Sequence, residues 1–106
     1  MLYLMSTTVI PSGAYGRWEV RPITAEGAVE MVNGCFTSAV GHDSTAQIMS
    51  ELLGTEVPMN RLSVEPTAGD SFLCFKLLRR PPEGAILNRS QLKELGYEWC
   101  VMHYHG

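Results

Sequence analysis

The stretch that most constrains the fold is residues 41–54, which read GHDSTAQIMSELLG. Its large apolar residues recur at helical spacing, and Gly54 follows the last of them, which predicts a helix that ends there. Asp43, Ser44 and Thr45 are residue types that cap the unpaired N–H groups of a helix start. Gly41 permits a sharp turn. The stretch therefore predicts a loop that turns directly into a short amphipathic helix.

The start of this helix also carries candidate chemistry. A helix N-terminus presents N–H donors and roughly half a positive charge, which suits a phosphate group. Histidine exchanges protons near neutral pH, so His42 is a candidate for proton transfer to or from a phosphoester. The alternative interpretation of the same residues is a capped helix start, with a surface histidine, that binds nothing.

The pattern outside this stretch predicts strands and two more short helices. Thr24 is expected to cap a helix closed by Asn33-Gly34, and Ser90 a helix over residues 91–95, ended by Gly96. Strands are predicted at residues 2–10, 17–21, 62–65, 71–78 and 97–104, with a brief extended piece at 35–40. Residues 62–65 and 71–78 are expected to pair as a hairpin, and Pro22 to end the second strand. These elements predict one α/β or α+β domain over residues 1–106, a mixed sheet of about five strands flanked by short helices.

Composition limits the function classes. The chain has 106 residues, with 8 Lys and Arg against 11 Asp and Glu, and this mildly acidic balance argues against binding to duplex DNA. The three cysteines are widely spaced and include no C-x-x-C pair, which argues against a disulfide framework or a structural zinc site. No apolar run approaches the ~20 residues of a transmembrane helix. We therefore expect a cytoplasmic protein that contacts no membrane.

Several polar side chains fall at predicted element ends. Arg61 opens a strand, and Arg80 and Glu83 lie in a proline-stiffened loop. The first strand carries hydroxyls at Ser6, Thr7 and Thr8, which need partners if buried. The spacing of His103 and His105 could put two imidazoles on one face of a strand, but a third metal ligand is not evident. The sequence contains no phosphate-binding G-x-x-x-x-G-K-[ST] loop and no G-x-G-x-x-G fingerprint.

Four motifs occur in a specific order: VGHDSTA at residues 40–46, LG at 53–54, NR at 60–61 and RPPEGAIL at 80–87. Together they resemble the type III anti-CRISPR ring nucleases, a family of archaeal viruses and phages with cellular relatives in bacteria. The resemblance implies a homodimer that binds cyclic tetra-adenylate, the second messenger of type III CRISPR systems, across its interface. It also implies cleavage without a metal or other cofactor to linear di-adenylate with 2′,3′-cyclic phosphate ends.

The resemblance assigns roles to individual residues. His42 matches the catalytic histidine, Arg80 an arginine on the scissile phosphate, and Glu83 an acid assigned to ligand binding or proton transfer. Ser6 stands where the family usually has asparagine. The remaining matches are expected ligand contacts, namely Arg61, Ser44, Thr45, Ser6, Thr7 and Thr8.

The leading hypothesis is therefore a metal-independent phosphodiesterase that uses 2′-OH attack to open the ring. One alternative is a sponge or sensor that holds a cyclic nucleotide or RNA end without cleaving it. Another is a structural or interaction protein of a mobile element. Two biological roles fit such a protein: a viral antagonist of CRISPR, or a host protein that regulates its own response.

Overall fold

The computed structural model describes residues 1–7, 10, 13–79 and 88–106. Its helices are α1 (Ala25–Met31), α2 (Asp43–Leu53) and α3 (Arg89–Leu95). Its strands are β1 (Leu2–Met5), β2 (Trp18–Ile23), β3 (Thr37–Ser38), β4 (Ser71–Leu77) and β5 (Tyr97–Tyr104).

The five strands form one mixed sheet in the order β2-β5-β4-β1-β3. β1 runs parallel to both of its neighbours, β3 and β4. β5 runs antiparallel to β4 and β2. The prediction of a mixed sheet of about five strands with short helices is confirmed.

Each face of the sheet has its own apolar core. The first core combines strand residues such as Leu4 and Leu73 with residues from all three helices, including Met49. The second core lies on the opposite face, where Phe72 and Met102 pack with Trp18. Both faces of the central strands are therefore buried, which explains why these strands read as nearly continuous apolar runs.

The second core also holds Cys74 and Cys100, which lie opposite each other on β4 and β5. Burial raises the pKa of the Cys74 thiol, and the neighbouring Cys100 raises it further. Burial is also the largest cause that raises the pKa of Cys100. These two free thiols are packed in the core, whereas Cys35 is exposed.

The predicted hairpin is wrong, because residues 62–65 form no strand. β4 already has β1 on one side and β5 on the other, so neither of its edges can accept a further strand. The second strand is longer than predicted and continues through Pro22 to Ile23. β2 is an edge strand, where a proline without an N–H is tolerated.

The predicted N-cap of the first helix holds, and the predicted N-cap of the third helix moves. The Thr24 hydroxyl accepts a hydrogen bond from the Gly27 N–H, as its capping role requires. The third helix begins earlier than predicted, because Asn88 and not Ser90 is its N-cap. The Asn88 side chain accepts from the Gln91 N–H at 2.9 Å, and the Gln91 side chain accepts from the Asn88 N–H at 3.1 Å. This reciprocal capping box outcompetes a lone serine cap two residues later.

Candidate functional site at the carboxyl edge of the parallel strands

The parallel strands direct several predicted site residues to one edge of the sheet. β1, β3 and β4 run in the same direction, so the segments that follow them leave at the same edge. Ser6 and Thr7 follow β1, the loop that leads to His42 follows β3, and Arg79 follows β4. β4 extends three residues beyond the Met5–Cys74 pair that ends its ladder with β1. Crevices at this edge of a sheet with parallel strands commonly bind ligands.

The start of α2 differs from its predicted form in one respect. His42 itself is the N-cap, with extended backbone angles, and no side chain forms a capping hydrogen bond. The expectation that the Asp43-Ser44-Thr45 run caps the helix is therefore wrong. The backbone ladder begins with the Ala46 N–H, which donates to the His42 carbonyl at 3.0 Å. The N–H groups of the first turn remain available to an anion, with the Asp43 carboxylate also in that turn.

Gly41 does not use the left-handed backbone conformation that glycine permits. Its φ lies outside the left-handed region, unlike that of Gly54, which ends α2 at φ 69° as predicted. A Cβ atom at Gly41 would meet the Arg61 Cγ atom at 3.5 Å, an ordinary contact. The glycine is thus not needed for the turn, but it places the backbone beside the stem of Arg61.

Arg61 is joined to the peptide that immediately precedes His42. Its Nε–H donates to the Gly41 carbonyl at 3.2 Å, and the side chain is otherwise exposed. Because Nε is used in this bond, the two terminal amino groups of the guanidinium form the part that can grip a phosphate. The structure therefore bonds Arg61 to the residue that precedes His42, although 19 positions separate Arg61 from His42 in the chain.

A hydrogen-bond network that sequence reasoning missed holds this loop. The Asn60 N–H donates to the Val40 carbonyl at 2.7 Å, and the Asn60 side-chain amide donates to the Ser38 carbonyl at 2.8 Å. The Ser38 hydroxyl donates to the Pro58 carbonyl at 2.6 Å and accepts from the Val40 N–H at 3.3 Å. Ser38 is only 4% exposed. In the sequence, the Asn60-Arg61 pair stood out as one of the four ordered motifs, whereas no pattern identified Ser38.

The other predicted contacts have mixed outcomes. Ser44 is exposed and Thr45 half-buried on the first turn of α2. Ser6 is half-buried and Thr7 exposed, but both lie in a bend after β1, so their predicted place inside a strand is wrong. The polar run from Ser6 follows the point where the β1 ladder with β4 ends. Thr8, Arg80 and Glu83 lie outside the described residues.

A second polar cluster lies on β2, on the first residue of β4 and at the end of β5, beside a cavity of about 340 Å³. His103 Nδ1 lies 2.8 Å from the Ser71 hydroxyl, and its Nε2 lies 3.4 Å from an Arg21 amino group. Arginine can only donate, so Nε2 accepts and Nδ1–H donates to Ser71, which argues against a serine activated by this histidine. The Glu19 carboxylate contacts both Arg21 and His105, each at 3.5 Å. Within the described ranges, no three His, Cys, Asp or Glu side chains are placed to hold a metal ion.

Comparison with known proteins identifies the family. A family model described as STIV B116-like matches residues 2–99. The chain belongs to the STIV B116-like family. Across the described residues, no helix is long and apolar enough to cross a membrane.

Proteins similar to this chain come from two archaeal viruses and from a bacterium. Uncharacterized protein ORF117 of Acidianus two-tailed virus is 35% identical over 103 residues, covering 92% of this chain and 88% of its own. Uncharacterized protein 26 of Sulfolobus islandicus filamentous virus is 32% identical, covering 92% and 86%. Uncharacterized protein YddF of Bacillus subtilis is 27% identical, covering 94% and 93%. The expectation of a family that occurs in archaeal viruses is confirmed.

A solved structure of the same fold is also known. B116 of Sulfolobus turreted icosahedral virus superimposes with a TM-score of 0.76 over 96% of this chain and 97% of its own. The identity is 21%, so this STIV B116-like neighbour supports the fold alone.

Proposed function

We propose that this protein is a metal-independent ring nuclease that binds cyclic tetra-adenylate and cleaves it to linear di-adenylate with 2′,3′-cyclic phosphate ends. The observation that supports this most is the position of Arg61 next to the start of α2. His42 lies at that start, where no side chain caps the helix, and Arg61 is bonded to the carbonyl of the preceding residue, Gly41. A proton donor, a phosphate-binding fork and open helix N–H groups then lie together at one edge of the sheet. These are the groups that phosphodiester cleavage requires.

The proposed reaction uses the ribose 2′-OH as the nucleophile. The 2′-oxygen forms a bond to the adjacent phosphorus and loses its proton to a base or to water, while the bond from phosphorus to the 5′-oxygen breaks. His42 donates a proton to that leaving oxygen, a contribution of roughly 10²–10⁴-fold. Arg61 and the first-turn N–H groups of α2 bind phosphate oxygens, with Ser44 and Thr45 as further contacts. The resemblance adds Arg80 on the scissile phosphate and Glu83 as a nearby acid.

The proposal includes a homodimer with the ring across its two-fold axis. A cyclic ligand with repeating phosphates suits two copies of the same site. Met59 and Leu62, which flank the Asn60-Arg61 pair, are 48% and 43% exposed. In the proposed dimer, the partner subunit covers these two side chains. Light scattering of the purified protein would give twice the 11.7 kDa of one chain.

The test is incubation of the protein with labelled cyclic tetra-adenylate in excess EDTA, followed by separation of the products. We expect linear di-adenylate with a 2′,3′-cyclic phosphate, formed faster by wild type than by a His42→Ala variant. An intact ring that stays tightly bound at stoichiometric enzyme would instead establish a sponge or sensor. No binding of any cyclic oligoadenylate, together with a protein partner in a pull-down, would establish an interaction protein.

In a cell, the proposed activity removes the messenger that a type III CRISPR effector produces. The ancillary nucleases that depend on the messenger are then no longer activated, so the protein antagonises or switches off the response. The relatives from archaeal viruses favour the antagonist role, and the bacterial relative is compatible with a regulator encoded by a cell.

A further inference from the structure

We propose that Asn60 is a positioning residue that sets the placement of Arg61 relative to His42, an inference that rests on the proposed ring-nuclease function. Asn60 acts through its hydrogen bonds to the Ser38 and Val40 carbonyls, which join the loop after β3 to the segment that carries Arg61.

The geometry shows two consecutive residues bonded to one short loop. Asn60 binds the Val40 and Ser38 carbonyls through its backbone and its side chain, at 2.7 and 2.8 Å. Arg61 then binds the Gly41 carbonyl at 3.2 Å. A single hydrogen bond would leave the two segments able to pivot about one point. Two bonds from the same residue fix their relative orientation, so the guanidinium is directed towards the peptide before His42.

The local surroundings explain why an amide is needed at this position. β3 is a two-residue edge strand, so few ladder bonds hold the loop that follows it. The Asn60 amide group supplies a donor to the Ser38 carbonyl, which a carboxylate of the same shape cannot do. The Ser38 hydroxyl adds a second connection between the segments, because it donates a hydrogen bond to the Pro58 carbonyl at 2.6 Å. An Asn60→Asp substitution therefore keeps the volume, removes the donor and places a negative charge against a carbonyl oxygen.

Ser50 offers a matched control for a purely structural effect. Its hydroxyl accepts from the Val57 N–H at 2.8 Å and donates to the Ala46 carbonyl at 2.7 Å. It thus anchors the same connecting segment, residues 55–61, near its other end. Ser50 lies eight residues after His42 on α2, about 12 Å along the helix axis. Loss of its hydroxyl should lower the thermal stability of the protein without moving His42 relative to Arg61.

The experiment compares Asn60→Asp, Asn60→Ala and Ser50→Ala in steady-state cleavage of cyclic tetra-adenylate and in thermal unfolding. We expect the Asn60 variants to lower kcat by about 10- to 100-fold, because a displacement of about 1 Å costs up to that factor. KM should change less than about threefold. The Ser50 variant should lose as much thermal stability as the Asn60 variants. Its kcat should nevertheless stay within about twofold of wild type.

A double substitution separates positioning from general destabilisation. If Asn60 acts through Arg61, then Asn60→Ala in an Arg61→Ala background should lower kcat by less than about threefold further. Equal and additive losses in the two backgrounds, or a kcat loss no larger than that of Ser50→Ala, would overturn the proposal.

A readout that needs no activity keeps this inference distinct from the proposed function. If wild type leaves the ring intact, the ring-nuclease proposal fails, yet the His42 ring resonances in the NMR spectrum still report on the loop. We expect Asn60→Asp and Asn60→Ala to shift those resonances and Ser50→Ala to leave them in place. Unchanged His42 resonances in both Asn60 variants would refute the positioning role.

Discussion

The Ser50→Ala substitution tests how the connecting segment after α2 is held. The hydroxyl contacts the Ala46 carbonyl at 2.7 Å, the Val57 carbonyl at 3.3 Å and the Val57 N–H at 2.8 Å. Val57 is 3% exposed, so its N–H would lose its partner inside the protein. Leaving a buried donor unsatisfied costs about 1–3 kcal/mol. Alanine returns about 0.5 kcal/mol through its higher helix propensity.

The net expected loss is about 1.5 kcal/mol in the free energy of unfolding, which corresponds to a Tm about 10 °C lower for a domain of this size. Far-UV circular dichroism during heating and during urea titration measures both quantities. The matched control is Ser44→Ala on the same helix, where the exposed hydroxyl makes no capping bond and the expected change is within about 0.5 kcal/mol. Equal Tm values for the two variants would refute the assignment of the Ser50 network.

Two further predictions concern the ends of α2 and the thiols. Gly54→Ala should lower the free energy of unfolding by about 1–2 kcal/mol, because φ at Gly54 is 69°, whereas Gly41→Ala should change it by less than about 0.5 kcal/mol. Urea titrations that gave the reverse order would contradict the backbone assignment. A thiol reagent at pH 8 should modify Cys35 rapidly and the two strand cysteines only after denaturation, because burial raises their pKa and lowers their thiolate fraction. More than one rapid equivalent in the native protein would contradict this.

The parts of the fold that the sequence predicted well depend on local patterns. α2 has apolar residues at helical spacing and a terminal glycine, and both signals lie within its own residues. The hairpin prediction failed because residues 62–65 have strand-like composition, yet the two edges of β4 are occupied by β1 and β5. Their positions follow from pairing across the whole chain, which a local pattern does not contain.

In the candidate site, too, features with a local signal were predicted and features that depend on distant contacts were missed. His42 and Arg61 were recognised as chemically suitable residue types, and the structure bonds Arg61 to the Gly41 carbonyl next to His42. The Ser38–Asn60 network was missed, because it depends on side-chain contacts with backbone groups 20 to 22 residues away. The cap at α2 was predicted from residue types that favour capping, but the extended backbone of His42 moved the cap position one residue earlier.

The most direct test of the central claim is the single-turnover cleavage rate of cyclic tetra-adenylate in EDTA, measured for wild type and for His42→Ala together with ring affinity. The exposed His42 side chain forms no capping bond, so the variant should fold normally. We predict an affinity within about threefold of wild type and a cleavage rate at least about 100-fold lower. A His42→Ala protein that cuts the ring at the wild-type rate would contradict the account.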